Sequence, residues 1–358
     1  MSATVAVQRT TKPKPVPAEV KTFGTIFTDH MFVMPYDEGK GWHDPKIIPY
    51  SDFHMDPATS MLHYGQAIFD GLKGFRDAKG EIRLFRPKTH AARINRSSER
   101  LCIPAIPEDV ILDSFLRIVD IDRQWVPKQR GTAVYIRPTI VATDAFLGVR
   151  PAHSYIYFVI LSPVGPYYAE GFDPVSILVE DTFVRASAGG LGAAKTPANY
   201  AASLLAAEQA KKKGYTQVLW LDGVERKWLE EVGTMNIMLK IDGEVITPPL
   251  SDSILAGVTR DTTLALLREW GHKVSERRVS IDEVIGAARS GKLEEMWGTG
   301  TAAVISPVGE LGYKGERIRI KDGKTGPLTR KLYDTITAVQ YGEAPDPHGW
   351  MTAVPRFN

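Results

Sequence analysis

Cys102 is the only cysteine among 358 residues, which excludes an internal disulfide and the paired-cysteine motifs of zinc and redox sites. No apolar run is long enough to span a bilayer. Neither sign of charge dominates: 44 basic and 42 acidic residues leave a formal net charge of +2, so no nucleic-acid surface is implied. There is no internal repeat, and no low-complexity tract beyond the first twenty or so residues. The stretch from Met1 to Lys21 lacks the apolar centre of a secretory signal, and Pro13, Pro15 and Pro17 break any amphipathic targeting helix. These absences give the expectation of a cytoplasmic protein with no membrane or nucleic-acid partner, no metal site, and residues 1–22 forming a flexible or surface-draped arm.

What is present is the composition of a globular protein, 43% hydrophobic and 24% charged. The length exceeds one ordinary core, so two domains are expected. The run Pro163-Val164-Gly165-Pro166-Tyr167-Tyr168-Ala169-Glu170-Gly171 is the best break. It divides a smaller domain, 23–163, from a larger one, 175–358, with 164–174 connecting them. In the first, residues 24–34, 82–85, 133–142 and 154–161 read as strands, and 87–101 and 108–125 as helices. Val110, Ile111, Phe115, Ile118, Val119 and Ile121 give the second helix its apolar face. In the second, strands are expected at 175–180, 217–221, 236–240 and 244–247, the last two around an Asp242-Gly243 hairpin turn. A helix follows over 259–270. Ser280 and Glu283 have capping-box spacing ahead of another. Strands at 293–297 and 302–307 are expected to be joined by Gly298-Thr299-Gly300-Thr301.

The most informative stretch is Gly189-Gly190-Leu191-Gly192-Ala193-Ala194-Lys195-Thr196-Pro197-Ala198-Asn199-Tyr200, a small-residue loop that delivers one lysine directly before a helix. Pro197 suits the first turn of that helix, and Gly214 ends it. A lysine on a rigid element with small neighbours is a candidate Schiff-base nucleophile, since desolvation favours the neutral amine. Three further features share its chemistry. Glu230 and Glu231 precede a tight Gly233 turn, and a carboxylate against a pyridinium nitrogen keeps the ring protonated. Ala256-Gly257-Val258-Thr259-Arg260-Asp261 opens a helix whose free N–H groups suit an anion. Arg93 offers a fork for a phosphate. Taken singly, each has an ordinary account as a loop lysine, an acidic turn, a helix cap or a solvated helix face. Together they match what pyridoxal 5′-phosphate requires.

With His63-Tyr64-Gly65, Phe69-Asp70-Gly71, Tyr135-Ile136-Arg137-Pro138, Glu231-Val232-Gly233-Thr234-Met235-Asn236, Ser253-Ile254-Leu255-Ala256 and Gly298-Thr299-Gly300-Thr301-Ala302-Ala303, the chain resembles the branched-chain amino acid aminotransferases of the fold type IV pyridoxal-phosphate enzymes. The similarity runs from about Phe23 to the C-terminus. It implies an α/β (α+β type) fold of two domains, each a mixed sheet or barrel flanked by helices, with the active site between them.

The resemblance also implies roles for single residues. Lys195 is the Schiff-base lysine and proton shuttle, Glu231 rather than Glu230 meets the pyridine nitrogen, and Tyr200 meets the phenolic oxygen. Arg93, Val258, Thr259 and Thr301 surround the phosphate. Tyr135 and the Thr301-Ala302 turn hold the substrate carboxylate. Tyr64, Phe69 and Tyr135 wall the side-chain pocket, and Arg137 takes the distal carboxylate of glutamate. Tyr64 and the loop Leu147-Gly148-Val149 complete the site across a homodimer interface. The implied reaction moves the amino group of leucine, isoleucine or valine to 2-oxoglutarate. D-amino acid aminotransferase, aminodeoxychorismate lyase and an idle cofactor carrier are the alternatives, and the Tyr135–Arg137 strand and Thr301-Ala302 turn favour the first reading. Two departures stand out. Ala303-Val304-Ile305-Ser306 occupies the place of the redox cysteine pair of mammalian members, and Trp297 is bulkier than expected, so the pocket floor is expected to differ.

Overall fold

The computed structural model describes residues 4–165 and 172–357, so residues 166–171 of the expected interdomain break lie outside the described residues. Contacts divide the chain into Met1–Tyr167 with Ala194–Pro197 and Ala338–Asn358, and Tyr168–Ala193 with Ala198–Thr337. This differs from the expected boundaries in two places. The C-terminal segment joins the first unit because Met351–Ala353 pairs antiparallel with Ile82–Phe85. The residues around Lys195 join it through the hydrogen bonds described below.

The first unit is built on a ten-stranded sheet. Its spine is the antiparallel pair Ala133–Ala142 and Ser154–Val164, in register from Ala133 opposite Val164 to Ala142 opposite Tyr155. Alternation sends Val134, Ile136 and Ile140, with Tyr157, Val159 and Leu161, to one face. There they pack with Ile94 of helix Pro87–Arg100 and with Ile111, Phe115 and Ile118 of helix Glu108–Ile121. The opposite face is polar in its centre. Tyr135 and Arg137 project from it, and Lys73 of strand Leu72–Arg76 lies across from Tyr135. Hydrophobic burial on one side thus leaves a row of reactive and charged groups on the other.

The described part of the N-terminal arm is draped over the first unit. Ala6–Val7 adds a parallel edge strand to Lys46–Pro49. The Thr10 N–H donates to His30 Nε2 at 2.9 Å and the Lys14 N–H to Asp29 Oδ1 at 2.8 Å. Pro13, Pro15 and Pro17 follow this edge strand, in a stretch that forms no helix.

In the second unit six strands close on themselves. Val175–Glu180 runs parallel to Gln217–Leu221 and to Val304–Tyr313, while Leu229–Val232 pairs with both Gln217–Leu221 and Met235–Ile241. Leu293–Gly300 completes the ring between Met235–Ile241 and Val304–Tyr313. Closure removes the exposed edges that this hydrophobic sheet would otherwise present. Ile177, Leu219, Leu221, Ile237 and Leu239 belong to its core. The Asp242-Gly243 turn has φ of 51° and 80°, as a two-residue hairpin demands, and Ser280 Oγ accepts from the Glu283 N–H at 3.1 Å.

Two expectations need correction here. Strand Leu293–Gly300 carries Gly298 to Gly300 within the sheet, so the turn falls at residues 301–303. The helix after Lys195 is two helices, Pro197–Ala201 and Leu204–Lys212. Ser203 Oγ donates to the Tyr200 carbonyl at 2.7 Å, a local bond that competes with helix continuation. Among the described residues no helix is long and apolar enough to cross a membrane.

Candidate active site

Lys195 is fixed through its main chain. Its N–H donates to Ser97 Oγ and its carbonyl accepts from the Phe69 N–H, both at 3.0 Å. The next residue, Thr196, is fully buried and donates its hydroxyl to the Ala67 carbonyl at 2.9 Å. The loop therefore lies between strand Ala67–Phe69 and helix Pro87–Arg100. With both ends of its peptide held, the lysine explores space only through its own side chain. Its Nζ stands 5.1 Å from the centre of the Phe69 ring.

Those two elements are joined by charge. Asp70, adjacent to Phe69 and wholly buried, accepts from Arg93 Nε at 2.8 Å and Nη2 at 2.6 Å, and sits 2.9 Å from His90 Nδ1. Burial would raise the Asp70 carboxyl, but the Arg93 guanidinium and then His90 hold it far below the usual carboxylate range. Burial pushes the His90 imidazole below its ordinary value. Arg93 was expected as a phosphate fork. Its Nε and Nη2 grip Asp70 side by side.

Phe69, Tyr135 and Arg137 come together as the sequence implies. Arg137 lies 4.8 Å from the Phe69 ring and 5.1 Å from the Tyr135 ring, and its Nη2 donates to the Tyr135 hydroxyl at 3.0 Å. Its Nε is buried without a partner, a deficit that a ligand carboxylate would remove. Gly71 makes room for this arrangement, since a Cβ there would stand 1.7 Å from the Tyr135 hydroxyl oxygen. Lys73 was missed by sequence reasoning. It is buried on the same face, and desolvation pushes its ammonium down to about 8. Tyr64 and Val149 belong to a different cluster: the Tyr64 hydroxyl donates to the Leu147 carbonyl, and both side chains are exposed, Val149 by 86%.

In the second unit Glu231 is the focus. Its Oε1 accepts from Asn236 Nδ2 at 3.0 Å and the Leu255 N–H at 3.1 Å, and its Oε2 lies 3.0 Å from Arg185 Nη1. Arg185 was also missed; it is buried and donates as well to the Ser253 carbonyl at 3.2 Å. Its signal was a lone arginine at the head of the small-residue loop. Asn236 Nδ2 donates in addition to the Leu255 carbonyl at 2.9 Å, so the 253–255 loop is clamped from both sides. Glu230 points elsewhere along the strand and accepts from the Ser253 hydroxyl, and burial raises its carboxyl above the ordinary value.

The clamped loop feeds helix Val258–Glu269, whose start has no side-chain cap. Val258 and Thr259 are buried at that start, where the helix dipole favours an anion. Gly257 could carry no side chain, because a Cβ would approach Asn236 Oδ1 to 1.9 Å. Thr301 and Ala302 are half-buried, and Val304, two residues after Ala302, holds φ of 64°, a strained value for a β-branched residue and of the kind that collects at ligand sites. Thr299 pairs with Asn236 across the sheet, and its buried hydroxyl lacks a partner, as does the indole N–H of fully buried Trp297. A buried, oriented carboxylate, a helix start without a side-chain cap and unsatisfied buried donors fit a flat, phosphorylated ligand with a basic ring nitrogen. Tyr200, half-buried on helix Pro197–Ala201, lies in the same unit.

Comparison with known proteins agrees with this chemistry. The family model for amino-transferase class IV matches residues 67–311. Branched-chain-amino-acid aminotransferase 2 of Bacillus subtilis is 54% identical over 98% of this chain and 96% of its own. A probable branched-chain-amino-acid aminotransferase of Staphylococcus aureus strain N315 is 48% identical over the whole of both chains. Among solved structures, the branched-chain amino acid aminotransferase of Escherichia coli superposes with a TM-score of 0.76 at 26% identity, covering 90% of this chain and 99% of that one. Family match, full-length relatives and shared architecture agree, and the chain belongs to the class IV amino-transferases.

Proposed function

We propose that this chain is a branched-chain amino acid aminotransferase that uses pyridoxal 5′-phosphate to move the amino group of leucine, isoleucine or valine to 2-oxoglutarate. The observation that carries this reading is the sharing of the Phe69 ring by an amine and a guanidinium, Lys195 Nζ at 5.1 Å and Arg137 at 4.8 Å. One group can react at an α-carbon while the other receives a carboxylate. When bound, pyridoxal 5′-phosphate supplies an electron-withdrawing ring that makes the α-hydrogen of an amino acid acidic.

Lys195 anchors that cofactor and moves the proton at the substrate α-carbon, its reach set by a main chain that cannot shift. Glu231 holds the proton on the ring nitrogen, and Arg185, 3.0 Å from its Oε2, keeps its carboxylate aimed. Tyr200 meets the phenolic oxygen. Val258, Thr259, Thr301 and Arg93 hold the phosphate. Tyr135 and the Thr301-Ala302 turn receive the α-carboxylate. A branched aliphatic side chain packs on the aromatic wall of Phe69 and Tyr135. Glutamate must place a second carboxylate there, and an unpaired buried carboxylate costs far more than a neutral polar group. Arg137 offers it a buried, unpartnered Nε.

Exposed Tyr64, Leu147 and Val149 form an apolar cluster that calls for a cover, and a second copy of the chain in a cytoplasmic homodimer supplies it. Tyr64 and Val149 would then complete the partner's side-chain pocket.

Arg137→Met is expected to weaken kcat/KM for glutamate and 2-oxoglutarate by about 2–4 kcal/mol and to spare leucine and its oxo acid. Each half-reaction can be followed separately, and equal damage to both would assign Arg137 to the scaffold. Glu231→Gln is expected to slow the α-proton step on the order of 10²-fold. Glu230→Gln should change little, because burial already disfavours its charge and an amide can still accept from the Ser253 hydroxyl. Stopped-flow half-reactions decide between them, and a reversed order would move the ring contact to Glu230. Sedimentation at micromolar concentration should show a dimer; an active species of 39.6 kDa would dismiss the shared pocket.

A further inference from the structure

Away from these residues, the first unit contains a cavity of about 440 Å³ lined by Arg9, Arg76, Arg123 and Arg356, with Asp120 and Phe357. Four guanidinium groups face it and one carboxylate. Folding has gathered them from distant parts of the sequence. Arg9 follows the N-terminal edge strand, Arg76 ends strand Leu72–Arg76, Arg123 opens the turn Arg123–Trp125, and Arg356 lies just past strand Met351–Ala353.

The two inner arginines are rigidly placed by backbone carbonyls. Arg76 donates to the carbonyls of Val126, Gly80 and Arg123 at 3.2, 2.9 and 2.6 Å. Arg123 Nη2 donates to the carbonyls of Val354 and Pro355 at 2.8 and 2.9 Å, and its Nε to Asp120 at 2.9 Å. These bonds use three of the five donors of each group, and carbonyls bring no negative charge to offset the cations. Asp120 is already engaged, by Arg123 and by the Phe357 N–H at 2.8 Å. Arg356 reaches it only at 4.0 Å, and its side chain is 77% exposed. Arg9 is exposed and has no hydrogen-bond or ion-pair partner among the described residues. The crowding is felt within the cluster: burial, then the charges of Arg123 and Arg356, push the Arg76 guanidinium below its ordinary value.

Like charges held together at a concave surface destabilise a fold unless an anion joins them. Guanidinium forks match the paired oxygens of phosphate and carboxylate groups. We propose that this cavity is a binding site for a small polyanionic metabolite carrying phosphate or carboxylate groups, which bridges the N-terminal and C-terminal segments of the chain. Arg76 and Arg123 form its preformed floor. Arg9 and Arg356, the two with free reach, close over the ligand from opposite termini.

Titration calorimetry on the holoenzyme, with inorganic phosphate and with citrate at ionic strength held constant by potassium chloride, tests this. Using holoenzyme keeps the cofactor's own phosphate subsite filled. The expected result is saturable binding of at least one of the two anions, weakened at least about tenfold by R9A/R356A, with transaminase turnover unchanged. Phosphate alone would mark a phosphorylated ligand, and citrate alone a polycarboxylate. Hydrogen exchange at the Gln8 and Phe357 amides, which bond the Ile47 carbonyl and Asp120, should slow in the presence of the anion. Binding that is equal in R9A/R356A, heat that follows ionic strength alone, or unchanged exchange at both amides would overturn the proposal.

Discussion

A buried aspartate organises the region around the reactive lysine. Asp70 ties Arg93 and His90 of helix Pro87–Arg100 to the end of strand Ala67–Phe69, and the peptide of Lys195 hangs between these two elements, on Ser97 and Phe69. Three charged or polar groups taken out of water this completely are costly unless each is satisfied. Here the carboxylate receives a paired guanidinium fork as well as the imidazole. Removing one partner would leave an uncompensated buried charge, so the arrangement is held as a unit. The consequence is mechanical. The lysine's backbone has no freedom, and its amine is delivered above one aromatic ring.

The same logic recurs around Glu231. Arg185, Asn236 and the Leu255 N–H orient one carboxylate, and in doing so they clamp the loop that leads into helix Val258–Glu269. A single network thus fixes the Glu231 carboxylate and the loop that precedes the helix start. Arg137 differs in kind. Its Nη2 is engaged by Tyr135, and its Nε is left buried and unpaired.

Much of this was legible in the sequence where the signal is local. The Asp242-Gly243 hairpin, the Ser280 cap, and the apolar stripe of Ile111, Phe115 and Ile118 follow from turn chemistry and periodicity alone. Lys195, Glu231 and Thr259 stood out because small residues, a tight turn or a helix start surround them. What was not legible depends on partners brought from far along the chain. Nothing near Arg93 in the sequence announces that its Nε and Nη2 are paired with Asp70. Arg185 has no local sign of its bond to Glu231, and Lys73 looks like an ordinary strand lysine until the sheet buries it. The continuation of strand Leu293–Gly300 through two glycines was missed because glycine signals a turn, whereas here it admits close packing: a Cβ at Gly298 would stand 2.7 Å from the Met235 methyl carbon.

The central claim is that the frame around Asp70 delivers Lys195, and no other lysine, to the cofactor. Borohydride reduction of the holoenzyme followed by peptide mapping tests it most directly, because reduction fixes the cofactor to whichever amine holds it. The result expected is a single phosphopyridoxyl group on the peptide containing Lys195. Lys73 is the informative competitor, since burial brings its ammonium to about 8 on the same sheet face as Tyr135. Modification at Lys73, or no covalent attachment at all, would contradict the account.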